Sequence, residues 1–279
     1  MRTARGWTQR AAGGALALLF VPFGFGSAAS ASPAAASSQP LRHIARVILP
    51  SPDEDDTTPV FPAATPIAQA QRWLTRALAD RSARLGTLSN EVVSSKGMPQ
   101  ATRATVASLL SADASGMSQL ASSVAAAGTI GALNAIAGQM VNNFRIVSLV
   151  VPVVQITLSA GAQTGEVSTL SELEPSIEAA ITTDQQAGKQ VAAAQAVFKD
   201  LTTQLAAVLA ADSSSTSSVL SLRPSSYSAS SGTLNAAENQ IAGAAPRLLT
   251  ARADLTRIVQ LLAAPSLNSQ PKVRALELR

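Results

Sequence analysis

Between residues 66 and 264, apolar side chains return every three or four positions. This spacing places one apolar stripe on a helix and aims it at a partner. The first predicted helix carries Leu74, Leu78, Arg81, Leu85, Leu88 and Val92 along its seam. Gly97 and Pro99 stop and restart the chain, and the second helix carries Val106, Leu109, Asp113, Met117, Leu120 and Val124. Folding the two antiparallel about residue 97 sets Leu88 against Val106, Leu85 against Leu109 and Leu74 against Leu120. The two charged seam residues, Arg81 and Asp113, then oppose one another. An interhelical ion pair is expected there, with snorkelling of both side chains to solvent as the alternative.

Gly128 ends the second helix and Thr129 is placed to cap the third. From Ile130 the stripe runs through Leu133, Ala137, Met140, Phe144, Val147, Val151, Val154 and Leu158. It crosses "FRIVSLVVPVVQITL" (144–158), the most apolar stretch outside the N-terminus. The period is helical, so a buried helix bent at Pro152 is predicted. A two-strand reading of 146–158 is the alternative, because the run is rich in β-branched residues. Beyond it the helix either continues or breaks near Gly161–Gly165. Gly188 is a stop. A fourth helix follows with Val191, Ala194, Phe198, Leu201, Leu205 and Val208, running to about Leu222. "SLRPSSYSASSG" reads as a loop. The fifth helix carries Leu234, Ile241, Leu248, Leu255, Val259 and Leu262, bent at Pro246.

The predicted fold is all-α. It is an elongated, antiparallel, coiled-coil-like bundle: two three-helix bundles, over 66–160 and 161–264, sharing a long Pro-kinked central helix.

The N-terminus changes where such a fold is expected to work. Arg2, Arg5 and Arg10 precede an apolar run from Ala11 to about Gly26, and Ala29-Ser30-Ala31 follows. That order predicts a signal peptide over 1–31, cleaved near Ala31, and a secreted or cell-envelope address. An uncleaved anchor is the alternative, disfavoured by a run shorter than the roughly 20 residues of a span. No transmembrane helix is expected in the mature chain. Residues 32–65 hold six prolines and the acidic run Asp53–Asp56, and predict a disordered linker. Residues 265–279 predict a flexible tail. The chain has no cysteine, so packing alone must hold it.

The pI near 10.1 does not indicate nucleic acid. Three of the 21 basic residues lie in the leader and no acidic one does, leaving 18 against 17 in the remainder. The basic residues are scattered and aromatics are scarce, so no phosphate stripe or stacking platform forms.

The segment "RLGTLSNEVVSSKGMPQATRATVASLLSADASGMSQLASSV" and "MVNNFRIVSLVVPVVQITLSA" together resemble a family of uncharacterised, secreted, Ala-rich helical proteins of high-GC Gram-positive bacteria. The matching residues are Arg84, Leu85 and Leu88, then Asp113 and Gly116, then Phe144, Arg145, Ile146 and Pro152. "AGKQVAAAQAVFKDL" and "LRPSSY" are similar to the family's second half. Phe144 stands where the family pattern has tyrosine. The resemblance implies the helical fold and the export address, and no activity.

Little catalytic chemistry is available. The single histidine, His43, lies in the Pro-rich linker, which removes Ser-His-Asp catalysis and His-rich metal sites. Asp53–Asp56 lacks the spacing of a calcium loop. Glu172, Glu174 and Glu178 read as exposed helix charges, and an acid-catalysed hydrolase would need two carboxylates across a cleft. Arg145 interrupts the apolar run and, if buried, needs a partner, with Asp113 or Asn142 as candidates. The site candidates are therefore structural ones: Arg81, Asp113 and Arg145.

No enzyme activity, metal or cofactor is expected. The expected role is a structural or interaction module of the envelope or extracellular space, acting through self-association or a protein partner the sequence does not name. The alternative is a carrier of an apolar ligand or lipid held near Val147–Leu158.

Overall fold

The structure, a computed structural model, describes residues 58–264. The leader, most of the linker with His43 and Asp53–Asp56, and the tail from 265 lie outside the described residues. The described residues are mostly helical and include no strand, so the two-strand alternative for 146–158 does not hold. The helices are α1 (Ile67–Ser94), α2 (Gln100–Ala126), α3 (Ile130–Gln139), α4 (Val151–Ser171), α5 (Glu174–Gln186), α6 (Ala192–Leu220) and α7 (Tyr227–Ala263).

The first hairpin follows its seam. The buried face of α1 is Ala70, Leu74, Leu78, Arg81, Leu85, Leu88 and Val92. On α2 it is Val106, Leu110, Gly116, Met117, Leu120 and Val124. Leu110 rather than Leu109 is fully buried, and Leu109, partly buried, lines a neighbouring groove. Carbonyls at the end of each helix have no intrahelical donor. The facing helix supplies one in both cases. Gln71 Nε2 donates to Val124 O (3.3 Å) and Ala127 O (3.1 Å), and the Arg103 guanidinium donates to Ser95 O and Met98 O. Thr129 caps α3, its hydroxyl accepting from Ala132 N at 3.2 Å.

The end of the expected linker is docked. Phe61 N donates to Asn134 Oδ1 (2.8 Å), and Asn134 Nδ2 donates back to Phe61 O (3.0 Å). The Phe61 ring meets Trp73 edge-on at 5.7 Å. One polar side chain on α3 thus satisfies both backbone groups of Phe61 and lets its ring reach the core.

The central helix is not continuous, and its break is not at Pro152. Two five-residue π-type turns, Met140–Phe144 and Ile146–Val150, flank Arg145, which is left-handed (φ 43°, ψ 51°). Leu149 N and Val150 N both donate to Arg145 O, at 2.9 and 3.2 Å. Breaking there places Pro152 in the first turn of α4, where a missing N–H leaves no acceptor stranded. Of the two alternatives left open beyond Pro152, the helix continues and does not break near Gly161–Gly165. α4 runs through both glycines and ends at Ser171, and Pro175 restarts the chain as α5.

Gly161 and Gly165 instead form a seat for the α1–α2 turn. A Cβ on Gly97 would collide with the Gly161 carbonyl, and one on Gly161 would stand 2.9 Å from Met98 Cβ. Gly188 does terminate α5, at φ 75°.

α6 and α7 form the second hairpin, and both pack along α4. The expected loop 221–232 is shorter: a single 3-10 turn at Pro224–Ser226 leads into α7 at Tyr227. That turn reaches Met140–Phe144, so the second hairpin overlaps the first half of the chain. Apolar burial therefore divides into three clusters. One joins α1–α3 to the start of α4. One joins the end of α4 to α5, α6 and α7. Between them Leu149, Val153, Ile156 and Ala160 pack on Val219, Leu234, Ala237 and Ile241.

Candidate functional site

Beside Leu109 of α2 and the chain next to the Arg145 break lies a groove of about 680 Å³. α2 contributes Leu109 and Ala112, the start of α4 contributes Val153, and the turn after α6 contributes Leu222. Leu149, Val150 and Leu220 complete the apolar wall. Polar groups stand among them: Ser108, Asp113, Asn143 and Arg223. Arg223 is fixed by its own turn, its Nη1 donating to Leu220 O (3.0 Å) and Leu222 O (2.8 Å).

Asp113 is half-buried, and its Oδ2 accepts no hydrogen bond among the described residues. Burial pushes its pKa from 3.8 up to about 6, with no cation among the causes. Arg81, which the seam register sets opposite, is 9 % exposed and donates from Nη1 to Ala77 O at 3.3 Å. Arg145 is half-buried, and its guanidinium carbon lies 4.4 Å above the centre of the Tyr227 ring. An aromatic face thus takes the role the sequence reading gave to Asp113 or Asn142. Asp113 and Arg145 are linked through packing: Gly116, one turn beyond Asp113, leaves the space that the Phe144 ring fills. A Cβ at 116 would fall inside that ring.

A second, smaller cavity of about 300 Å³ lies between the start of α2, α4 and α6. It belongs to a polar layer separating the second and third apolar clusters. Gln163 is fully buried and donates to Ile241 O at 3.0 Å. Ser215 is fully buried and donates to Gln240 Oε1 at 2.9 Å. Asp212 is 2 % exposed and accepts from Thr164 Oγ1 at 3.2 Å. Burial drives the Asp212 pKa from 3.8 up to about 7, the Thr164 bond opposing the rise. None of these residues was singled out from the sequence. The signal was there: the α6 seam continues in phase past Val208 to Asp212, Ser215 and Val219, all buried.

The remaining carboxylates lie outside both cavities. Glu172 and Glu178 are exposed, and Glu174 accepts from Ser171 Oγ at 2.9 Å. Asp254 is raised by burial and then by neighbouring Asp200, but the pair sits on the α6–α7 surface, not across a cleft. Among the described residues no group of three or more His, Cys, Asp or Glu side chains is placed to hold a metal ion. Also among them, the run Ile130–Gln186 is long and apolar enough by composition to cross a membrane, and 78 % of its most apolar window is buried within the fold.

Compared with known proteins, the chain matches no family model, no curated protein and no solved structure.

Proposed function

We propose that this chain is an exported, non-enzymatic binding module, and that the groove between α2, α4 and α6 holds the apolar part of an amphiphilic ligand such as a lipid. The observation that carries this reading is the groove itself. Its volume of about 680 Å³ falls within the ~300–1,000 Å³ typical of ligand pockets. It lies where the run 147–158 meets the second hairpin. Its walls are aliphatic and its few polar groups, Asp113, Asn143 and Arg223, suit a polar head. The export address rests on the N-terminal basic and apolar pattern with its Ala29-Ser30-Ala31 site. The burial of 78 % of the most apolar window of the 130–186 run supports a core helix over a membrane span.

The test is displacement of an apolar fluorescent dye by a long-chain fatty acid from the full chain, compared with an Ala112→Trp variant. Ala112 is exposed and lines the groove, so an indole there fills the space without disturbing the core. Displaceable binding that the variant loses supports the reading. Binding unchanged by the indole, or none at all, refutes it.

A further inference from the structure

Resting on the reading of the groove as an apolar-ligand site, we propose that a proton gates it: the groove holds its ligand while the Asp113 carboxyl is neutral and releases it once that carboxyl is ionised.

Position comes first. Among the described residues lining the groove only Asp113 and Arg223 carry a charge, and the same lining includes Leu109, Leu149, Val150 and Val153. Asp113 Oδ2 is shut off from water and accepts no hydrogen bond. The side chain as a whole is half-buried, so in the free protein the ionised form still draws on some water. An apolar chain seated in the groove displaces that water and offers no hydrogen bond in its place. A carboxylate stripped of water without a partner is costly, and a neutral carboxyl is far less so. Ligand and negative charge therefore oppose one another at this wall.

The charged groups on the surrounding elements are engaged elsewhere. Arg81 of α1 donates to Ala77 O, and no cation is among the causes that set the Asp113 pKa. Arg84, one turn on, is exposed. Arg103, near the start of α2, donates to Ser95 O and Met98 O. Arg145 lies against the Tyr227 ring. Apart from it, residues 114–165 carry no charge, which covers the rest of α2, all of α3 and most of α4. On α6 Asp212 accepts from Thr164, and past α6 the exposed Arg223 donates to the Leu220 and Leu222 carbonyls. A proton, and not a neighbouring cation, is thus left to neutralise Asp113 beneath a ligand.

The sign follows from linkage. Burial already lifts the carboxyl from 3.8 to about 6 in the free protein. Covering by a ligand raises it further, so the complex holds the proton more tightly than the free chain and binding takes a proton up. Affinity is full below about pH 5 and falls as pH climbs through 6. A rise to about 7 in the complex weakens binding about tenfold by pH 8.

The experiment is fluorescence titration of the full chain with Nile red, a neutral dye, from pH 5 to pH 8, beside Ala112→Trp and Asp113→Asn. We expect a Kd that is level near pH 5, rises about tenfold by pH 8 and loses this slope in Asp113→Asn. Calorimetry of the parent chain at pH 7 in phosphate and in Tris needs no variant to fold, and its two heats should differ by the uptake of a fraction of a proton per dye bound. Dye binding that Ala112→Trp abolishes but that shows equal Kd at pH 5 and pH 8 would overturn the gate and leave the groove reading standing. So would equal heats in the two buffers, or a slope that persists in Asp113→Asn. No dye binding at any pH, or binding that Ala112→Trp leaves unchanged, would overturn the groove reading itself and the gate with it.

Discussion

Asp212→Asn should make the protein more stable at pH 8 and leave it nearly unchanged at pH 4.5. The carboxyl is 2 % exposed, and burial raises its pKa from 3.8 to about 7. That rise corresponds to about 4 kcal/mol between the two protonation states. The sign follows from proton binding. The folded chain holds this proton more tightly than the unfolded chain, so folding is favoured while the carboxyl is protonated. Stability falls as pH rises from about 4 to about 7 and is level above that range. Asparagine is isosteric, carries no charge and keeps an oxygen for the Thr164 hydroxyl. Its buried amide hydrogens offset part of that relief. The net gain at pH 8 should be about 2–4 kcal/mol, and the difference at pH 4.5 within about 1 kcal/mol. Urea unfolding followed by circular dichroism at the two pH values measures this. Comparing the variant with the parent at each pH cancels every other carboxylate. A variant destabilised equally at both pH values would refute the reasoning, because Asp212 would then be paired or hydrated in the folded state.

Three further outcomes follow from the packing. Gly116→Ala forces the Phe144 ring out of its slot and should cost about 1–3 kcal/mol, whereas Gly86→Ala, with nothing within 4 Å, should gain up to about 1 kcal/mol; thermal melts compare them. Arg145→Gly should be more stable than Arg145→Ala by about 1–2 kcal/mol, since both lose the Tyr227 contact and only alanine keeps the left-handed strain; urea unfolding reads the difference. Asn134→Ala removes both bonds to the Phe61 backbone and should expose residues 58–65 to protease while the helices stay intact, as followed by limited proteolysis with mass mapping.

Much of this architecture is legible in the sequence because seam burial is periodic. The seam of α1 is buried as the spacing requires, Arg81 included, and α6 keeps its phase to Val219. Following that phase one turn further would have placed Asp212 inside, since the position decides burial even where the residue type argues against it. Other features had no periodic signal. Arg145 adopts a conformation that side chains other than glycine rarely take, and it is held there by tertiary partners: the Phe144 slot at Gly116 and the Tyr227 ring more than eighty residues away. Gly161 and Gly165 look like helix breakers and act as a contact surface, because the turn at Gly97 approaches too closely for a Cβ. Residues 222–232 are rich in serine and hold a proline, which suggests a loop; packing of Leu234 and Tyr227 against the third cluster extends the helix instead. The groove is lined by residues from α2, the π-type turns beside Arg145 and the turn after α6, which no periodicity brings together, so the sequence pointed to its neighbourhood and not to its walls.

The proposed function requires an apolar ligand in the groove beside Val150 and Val153. Native mass spectrometry of the full-length protein recovered from its own cells tests this most directly. A species heavier than the protein by the mass of one lipid-like molecule is expected, and it should be lost when Ala112 is replaced by tryptophan. A spectrum of bare protein alone would contradict it.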